Sequence, residues 1–347
     1  MKICLLFILL GLLLAVPAYA LEIEAPVVPE AGKALMPKET GDFGEGLLQL
    51  ITKTIQTLRP DLREAAGVCV SLVAIVTLIC LIPAEQSDSA MVSNIAGSVG
   101  VGILLLSSTH SMIRLASQTI QQLSDYSKLL FPVMAAGMAA QGGVTASSGL
   151  YIGTTFFSTI LNTLLSNIFL DGICLFLVLA IASAAIGEDT LKRMRDLIKG
   201  AISWILKTVL TVFTTYMSIT GVVSGTTDAA ALKTLKVTIS TMVPVVGGIL
   251  SDASESVLVS AALMKNAAGI YGIFAVLSLA LGPFARIGMH YLLLKISAMI
   301  CGIFGTKTIV SLIEDFSTAL GMLLAVTGSM GLLVLIGTVC FLKGVGG

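Results

Sequence analysis

The sequence is poor in charged residues. Asp, Glu, Lys and Arg make up only 12% of its 347 residues, and twenty bases balance twenty acids. Nucleic-acid binding by charge neutralisation requires a concentrated Lys and Arg surface, so this composition argues against a nucleic-acid partner. Eight acids and six bases lie in residues 1–64, which leaves 26 charges for the 283 residues that follow. Most of the chain is therefore predicted to lie in apolar surroundings.

The sequence also lacks the motifs of common catalytic and metal sites. It has two isolated histidines, no H-E-x-x-H, no G-x-S-x-G, and a Gly-Thr-Lys-Thr at 305–308 without the glycines that a P-loop requires. Six cysteines lie in apolar runs without a C-x-x-C, which is typical of packing residues. We therefore predict no enzymatic activity, no catalytic residue, no cofactor and no metal.

Apolar residues are abundant instead. They make up 56% of the chain, and the mean hydropathy of +1.00 is above that of most water-soluble domains. This composition indicates a membrane protein.

The N-terminus is typical of a targeting segment. Lys2 precedes an apolar run at 3–16, and Ala18 and Ala20 form an A-x-A cleavage signal. We predict a signal peptide over residues 1–20 and a mature chain that begins at Leu21. An uncleaved membrane anchor is the alternative.

Residues 21–64 are predicted to form an extracytoplasmic lead. Their first half is polar and rich in proline, which predicts a flexible segment. From Gly46 onward, leucine and isoleucine recur at helical spacing up to Pro60. This pattern predicts a short amphipathic helix, stopped by the proline, that lies on the membrane or on a partner.

Residues 65–343 are predicted to form a polytopic transmembrane domain. A span needs about 20 apolar residues, and the windows that qualify are 65–82, 91–107, 150–168, 172–186, 201–223, 267–281, 287–303 and 318–342. More polar amphipathic stretches at 111–130, 188–200 and 228–243 are predicted to be interfacial helices. The fold class is therefore an all-α polytopic membrane protein of about eight transmembrane helices, within a range of roughly six to ten.

Two amphipathic stretches end alike, in Phe-Pro-Val-Met at Pro132 and in Val-Pro-Val-Val at Pro244. Similar arrangements of apolar windows follow each, which indicates an internal repeat near 111–223 and 223–342; chance similarity between apolar sequences is the alternative. If the repeat is real, the prolines mark two broken helices, a feature of substrate paths in transporters.

The orientation follows from the basic stretch that carries Lys192, Arg193, Arg195 and Lys199. Cationic loops are retained in the cytoplasm, so we predict that these residues lie there. With an outside N-terminus, this requires the segment around Pro132 to cross the membrane. A re-entrant segment at Pro132, which would leave the basic stretch outside, is the alternative.

One segment resembles a known family. Residues 243–257 read Val-Pro-Val-Val-Gly-Gly-Ile-Leu-Ser-Asp-Ala-Ser-Glu-Ser-Val, after Ser-Gly-Thr-Thr-Asp at 224–228 and before Leu-Met-Lys-Asn-Ala-Ala-Gly-Ile at 263–270. These residues are similar to the stage III sporulation protein AE family. The resemblance implies a multi-pass protein of the mother-cell membrane around the forespore. It also implies other stage III sporulation membrane proteins and a secretion-type ATPase as partners, and no catalytic residues.

The same segment supplies the candidate functional residues. Pro244, Gly247 and Gly248 predict a helix break, and Asp252 and Glu255 share one face of the helix that follows. The acids are predicted either to line a wet cavity or meet a partner, or to lie in solvent at a surface hairpin.

Two functions compete. The first is a non-enzymatic subunit of the channel or secretion-like complex between mother cell and forespore, and the second is a self-contained secondary transporter with broken helices at Pro132 and Pro244. A transporter should keep ionisable residues at mid-bilayer, and only Lys207 and Lys295 are candidates for that position. We therefore favour the subunit. Arg286, which follows Gly282 and Pro283, is predicted to be a helix-end residue whose charge reaches the interface.

Overall fold

The described residues form a helical bundle. The computed structural model describes residues 26–37, 43–81, 87–140, 144–187, 189–219 and 267–345, and no strand occurs in these ranges. Within these ranges, six helices are long and apolar enough to cross a membrane. The predicted all-α polytopic fold is confirmed, and the count of six lies at the lower end of the predicted range.

The helices are mostly long rods. In chain order they are α1 Glu30–Lys33, α2 Phe43–Cys80, α3 Ser87–Ala140, α4 Val144–Leu164, α5 Leu170–Ile186, α6 Asp189–Ile219, α7 Ala267–Cys301 and α8 Lys307–Val345. A π-helical turn, Leu165–Phe169, joins α4 and α5 into one rod. At 1.5 Å per residue the rods are about 45 to 80 Å long, which exceeds the roughly 30 Å hydrocarbon core of a bilayer.

Successive rods run in opposite directions. Gly97 of α3 packs against Ile79 of α2 and Ile309 of α8, at what we call the basal end of the bundle. Gly272 of α7 packs against Leu130 of α3 and Thr338 of α8 near the other, apical end. Therefore α3 and α8 run from basal to apical, whereas α2 and α7 run from apical to basal.

The α4–α5 rod and α6 continue this alternation. Gly102 of α3 packs against Ile181 of α5 near the basal end. Gly153 of α4 packs against Tyr216 of α6 near the apical end. The α5–α6 and α7–α8 connections consequently lie at the basal end.

The centre of the bundle is filled by α8. Its most apolar stretch is 89% buried, compared with 17% for α2 and for α6. Leu323, Leu333 and Phe341 are fully buried there. Because lipid is as apolar as these side chains, helices in a bilayer are held together by close packing. Glycines allow this close packing, because they leave room for a neighbouring side chain. Gly331 lies against Ala280, and Gly337 lies against Phe131.

The helix ends predicted at two prolines are wrong. α2 continues through Pro60 to Cys80, and α3 continues through Pro132 to Ala140. A proline removes one backbone donor. Beside Pro60, residues 55–64 are exposed or half-buried, and an ion pair between Asp61 and Arg286 holds α2 to α7. Beside Pro132, whose own ring is exposed, Phe131 is buried with its ring centroid 5.9 Å from that of Phe341.

The described residues form fewer spans than predicted because pairs of predicted windows merge into single rods. Windows 150–168 and 172–186 form one rod across the π-helical turn, and windows 267–281 and 287–303 form one helix through Pro283. The stretches 111–130 and 188–200, predicted as separate interfacial helices, are parts of α3 and α6. The stretch 228–243 lies outside the described residues. Since Pro244 does too, the internal repeat stays a prediction.

The lead is packed where it is described. Val28 and Leu35 are buried, and Gly32 lies against Ser278 of α7. The Tyr126 hydroxyl donates a hydrogen bond to the Pro26 carbonyl at 3.3 Å. The prediction of a flexible lead is therefore wrong for residues 26–37. The signal peptide lies outside the described residues and stays a prediction.

Gly153 tests the packing of α4 on α6. A Cβ atom there would lie 2.2 Å from the Tyr216 ring, whose hydroxyl is held by the Gly149 carbonyl at 2.9 Å. We expect Gly153→Ala to lower the free energy of unfolding by about 1 to 3 kcal/mol, measured by thermal unfolding in detergent.

Gly149→Ala is the matched control, because a methyl group at that position meets no atom within 4 Å. It should leave the transition unchanged or raise it slightly, since alanine favours the helix. Equal transition temperatures for the two variants would contradict the close contact between α4 and α6.

Candidate functional site

Most residues predicted for the functional site lie outside the described ranges. This holds for the break and acidic residues Pro244, Gly247, Gly248, Asp252 and Glu255, and for the cleavage residues Ala18, Ala20 and Leu21. Pro132 is described, and it lies inside α3 on the bundle surface. The site that the structure does describe is built from other residues.

A polar stripe runs along the outer surface of α3. Its members are exposed and recur every three or four residues, which places them on one helix face: Ser111, Arg114, Gln118, Gln121, Asp125 and Lys128. We call this set the α3 stripe. It extends about 25 Å along the helix.

The stripe is internally bonded at its apical part. The Asp125 carboxylate accepts hydrogen bonds from the Gln121 side-chain amide at 3.1 Å and from Lys128 Nζ at 2.8 Å. Both members of the ion pair are more than half exposed, so the pair contributes little stability. The carboxylate is neutralised locally, whereas no ion pair is found for Arg114 among the described residues.

The opposite face of α3 is apolar. Met112, Ala116, Ile120 and Leu123 are buried, and Leu123 packs near Gly331 of α8. The amphipathic pattern predicted for 111–130 is therefore present, but in the middle of a rod. The sequence pattern alone did not reveal that the polar face would lie beside apolar helices.

Contacts with the α4–α5 rod show where the stripe lies along the axis of the bundle. Gly102 packs against Ile181, and the Ser127 hydroxyl lies 3.2 Å from that of Ser158. The α3 segment between them consequently runs alongside the centre of the α4–α5 rod, where Asp171 is the only charged residue between 144 and 186. A charged residue at the centre of a span costs roughly 2.5 to 3.5 kcal/mol when it faces lipid. The α3 stripe is therefore suited to water or to polar protein.

In the described part of the chain, two ion pairs join different rods. Arg286 of α7 contacts Asp61 of α2 at 3.0 Å, and Arg195 of α6 contacts Asp315 of α8. Arg286 lies in the middle of α7, so its prediction as a helix-end residue is wrong. Sequence reasoning missed Asp61 and Asp315 because partners so distant along the chain give no local signal.

The two lysines considered for mid-bilayer coupling face outward. Lys207 and Lys295 are both exposed on the bundle surface. Besides Tyr126, the buried polar side chains of the described residues are serines, threonines and His290. Among the same residues, no group of His, Cys, Asp and Glu is arranged to hold a metal ion.

Comparisons with known proteins agree with the resemblance noted above. The family model described as "Stage III sporulation protein AE" matches residues 32–343. "Stage III sporulation protein AE" of Bacillus subtilis (strain 168) is 24% identical over 259 residues, which cover 73% of this chain and 65% of that protein. The chain thus spans about two thirds of the length of this relative. No solved structure matches.

The buried pair on α6 and α8 gives a stability prediction. The side chains of Arg195 and Asp315 are only 12% and 13% exposed, so Arg195→Ala leaves a carboxylate largely buried without its partner. We expect a loss of about 3 to 5 kcal/mol in unfolding free energy, measured in detergent. The double variant Arg195→Met with Asp315→Leu should recover most of it.

Lys192→Ala is the matched control, because Lys192 pairs with Asp189 at the surface of the same helix. Loss of an exposed pair costs at most about 1 kcal/mol. If Arg195→Ala were no more destabilising than Lys192→Ala, the buried pair would not hold α6 against α8.

Proposed function

This chain belongs to the stage III sporulation protein AE family, and we propose that it is a non-enzymatic membrane subunit of the channel complex between mother cell and forespore. The family name supports a role in sporulation and does not describe an enzyme, and six apolar helices support a multi-pass membrane protein. We place it in the mother-cell membrane around the forespore. Its proposed partners are other stage III sporulation membrane proteins and a secretion-type ATPase.

The observation that carries this proposal is the outward direction of the α3 stripe. A self-contained transporter should direct ionisable residues toward a path within its own bundle. In the described part of this chain, apolar α8 fills the centre, the α3 stripe with its charged residues faces outward, and the buried polar side chains of α3 are serine and threonine hydroxyls and the Tyr126 hydroxyl. This arrangement favours a subunit whose polar face meets another subunit or a water-filled path that several subunits enclose.

The continuity of α3 weakens the transporter alternative. That alternative depends on broken helices at Pro132 and Pro244, and α3 is unbroken at Pro132. The remaining predicted break, at Pro244, supports either function.

Replacing stripe residues tests the proposal. We expect Gln118→Leu with Gln121→Leu to abolish sporulation and the retention of partner membrane proteins during purification in mild detergent. The two leucines would remove polar contacts with a partner, or would exclude water from a path that several subunits share. Membrane insertion should persist, because the change makes α3 more apolar.

Thr159→Leu with Thr163→Leu is the matched control. Both threonines are exposed on α4, and their hydroxyls donate hydrogen bonds to their own helix backbone. This variant should sporulate like the parent. Normal sporulation of the glutamine variant would refute the stripe as a functional face.

The alternation of rods supports the predicted orientation. Three rods, α2, α3 and α4–α5, separate Phe43 at the apical end from the start of α6 at the basal end. If the signal peptide places residue 43 outside, three crossings place residues 192–199 in the cytoplasm, in agreement with the distribution of positive charge.

Cysteine labelling tests this orientation in a cysteine-free background. In intact non-sporulating cells that express the chain, Arg193→Cys should resist an impermeant thiol reagent, and Glu45→Cys, exposed near the apical end, should react. Reaction at position 193 with protection at position 45 would reverse the orientation.

We also propose a functional break at Pro244, with Asp252 and Glu255 lining a wet cavity or contacting a partner. Changing Pro244, Gly247 and Gly248 together to alanine favours a continuous helix. The triple variant should insert into the membrane but fail to support forespore development. Sporulation at the parental level would reduce the motif to a packing feature, with its acids in solvent.

A further inference from the structure

A polar cleft opens at the basal end, between α5, α6 and α8. Its volume is about 280 Å³. The charged residues that line it are Lys192 and Arg195 of α6 and Lys307 and Asp315 of α8, and the Thr308 and Ser311 hydroxyls lie beside them. The α3 stripe does not contribute to it.

The lining carries a surplus of positive charge. Arg195 is paired with Asp315, which is the single carboxylate among the described residues of the wall. Lys192 contacts Asp189 at 3.1 Å, but the Asp189 side chain is 81% exposed and competes weakly for it. Lys307 has no ion pair among the described residues. The other nearby acids, Asp196 and Glu314, are exposed outside the lining.

The first turn of α8 adds further donors. Lys307 and Thr308 begin this 39-residue helix, and the first backbone N–H groups of a helix have no partner within it. Aligned peptide dipoles also favour a negative charge at this end. Two lysines, two hydroxyls and a helix start therefore surround one space that suits the oxygens of a phosphate group.

The position of the cleft indicates where the phosphate comes from. α6 changes from charged to apolar at Ala201, and Trp204, the single tryptophan of the chain, is 70% exposed about 13 Å from Arg195 along the helix. Tryptophan is enriched at the headgroup level of membranes. Ile186, which precedes the cleft residue Gly187, is 63% exposed and offers an apolar surface beside the opening.

We propose that this cleft binds the phosphate group of an anionic phospholipid. Lys192, Lys307 and the first turn of α8 contact the phosphate oxygens. Asp315 holds Arg195 in position at the back of the cleft. Basic pockets between transmembrane helices bind anionic headgroups in this way.

Native mass spectrometry of the full chain in detergent tests this proposal. The protein is titrated separately with phosphatidylglycerol, phosphatidylcholine and inorganic phosphate. The parent should prefer phosphatidylglycerol, and Lys192→Ala with Lys307→Ala should bind it roughly 30-fold more weakly, as expected for two lost lysine contacts.

Lys207→Ala with Lys295→Ala is the matched control, since it removes two exposed lysines that lie outside the cleft. It should bind phosphatidylglycerol as tightly as the parent, and the unfolding transitions of both variants verify their folding. Equal binding by the two variants, or equal binding of the two lipids by the parent, would overturn the proposal. Lysine-dependent binding of inorganic phosphate without phosphatidylglycerol binding would overturn the lipid assignment.

Discussion

Close packing around α8 is the constraint on which the other features depend. α8 contacts α3, α4, α5, α6 and α7, while α2 joins the bundle through α3 and α7. In a bilayer, apolar side chains gain little by leaving lipid, so contact at short range must hold these rods. Small residues let the helices approach closely, as where Gly337 meets Phe131 and where Gly331 meets Ala280. A centre packed in this way has no room for a polar path among the described residues.

The polar groups are consequently placed in two other ways. Some are neutralised between rods, as in the Arg195 and Asp315 pair and the Arg286 and Asp61 pair. Others face outward, and the α3 stripe is the longest such set described above. Each pair matters for the stability of the bundle mainly because loss of one partner leaves the other charge buried and uncompensated. An outward stripe contributes little to the stability of this bundle, so its polar character is better explained by what it contacts outside the chain.

Local pattern predicted some of these features and failed at others for physical reasons. Apolar residues recur in the sequence with the 3.6-residue period of a helix. Their spacing therefore identified the helices and both faces of 111–130. Local reasoning also placed helix ends at Pro60 and Pro132, but both helices continue, with a contact to another rod beside each proline: the Asp61 and Arg286 ion pair, and Phe131 against Phe341. The cleft and the ion pairs could not be predicted, since each joins residues from rods whose order in space is not encoded locally.

The packed lead has a consequence for assembly. Gly32 lies against Ser278 and Leu279. The lead therefore contacts α7, a helix that is synthesised much later than the lead itself. Such a contact forms late, because α7 must be in place before residues 26–37 can dock. Tyr126 meets the same segment through Pro26, one residue from Asp125 of the α3 stripe. The docked lead therefore covers the buried side of the helix turn whose outer side carries Asp125, and it joins α3 to α7 at the apical end of the stripe.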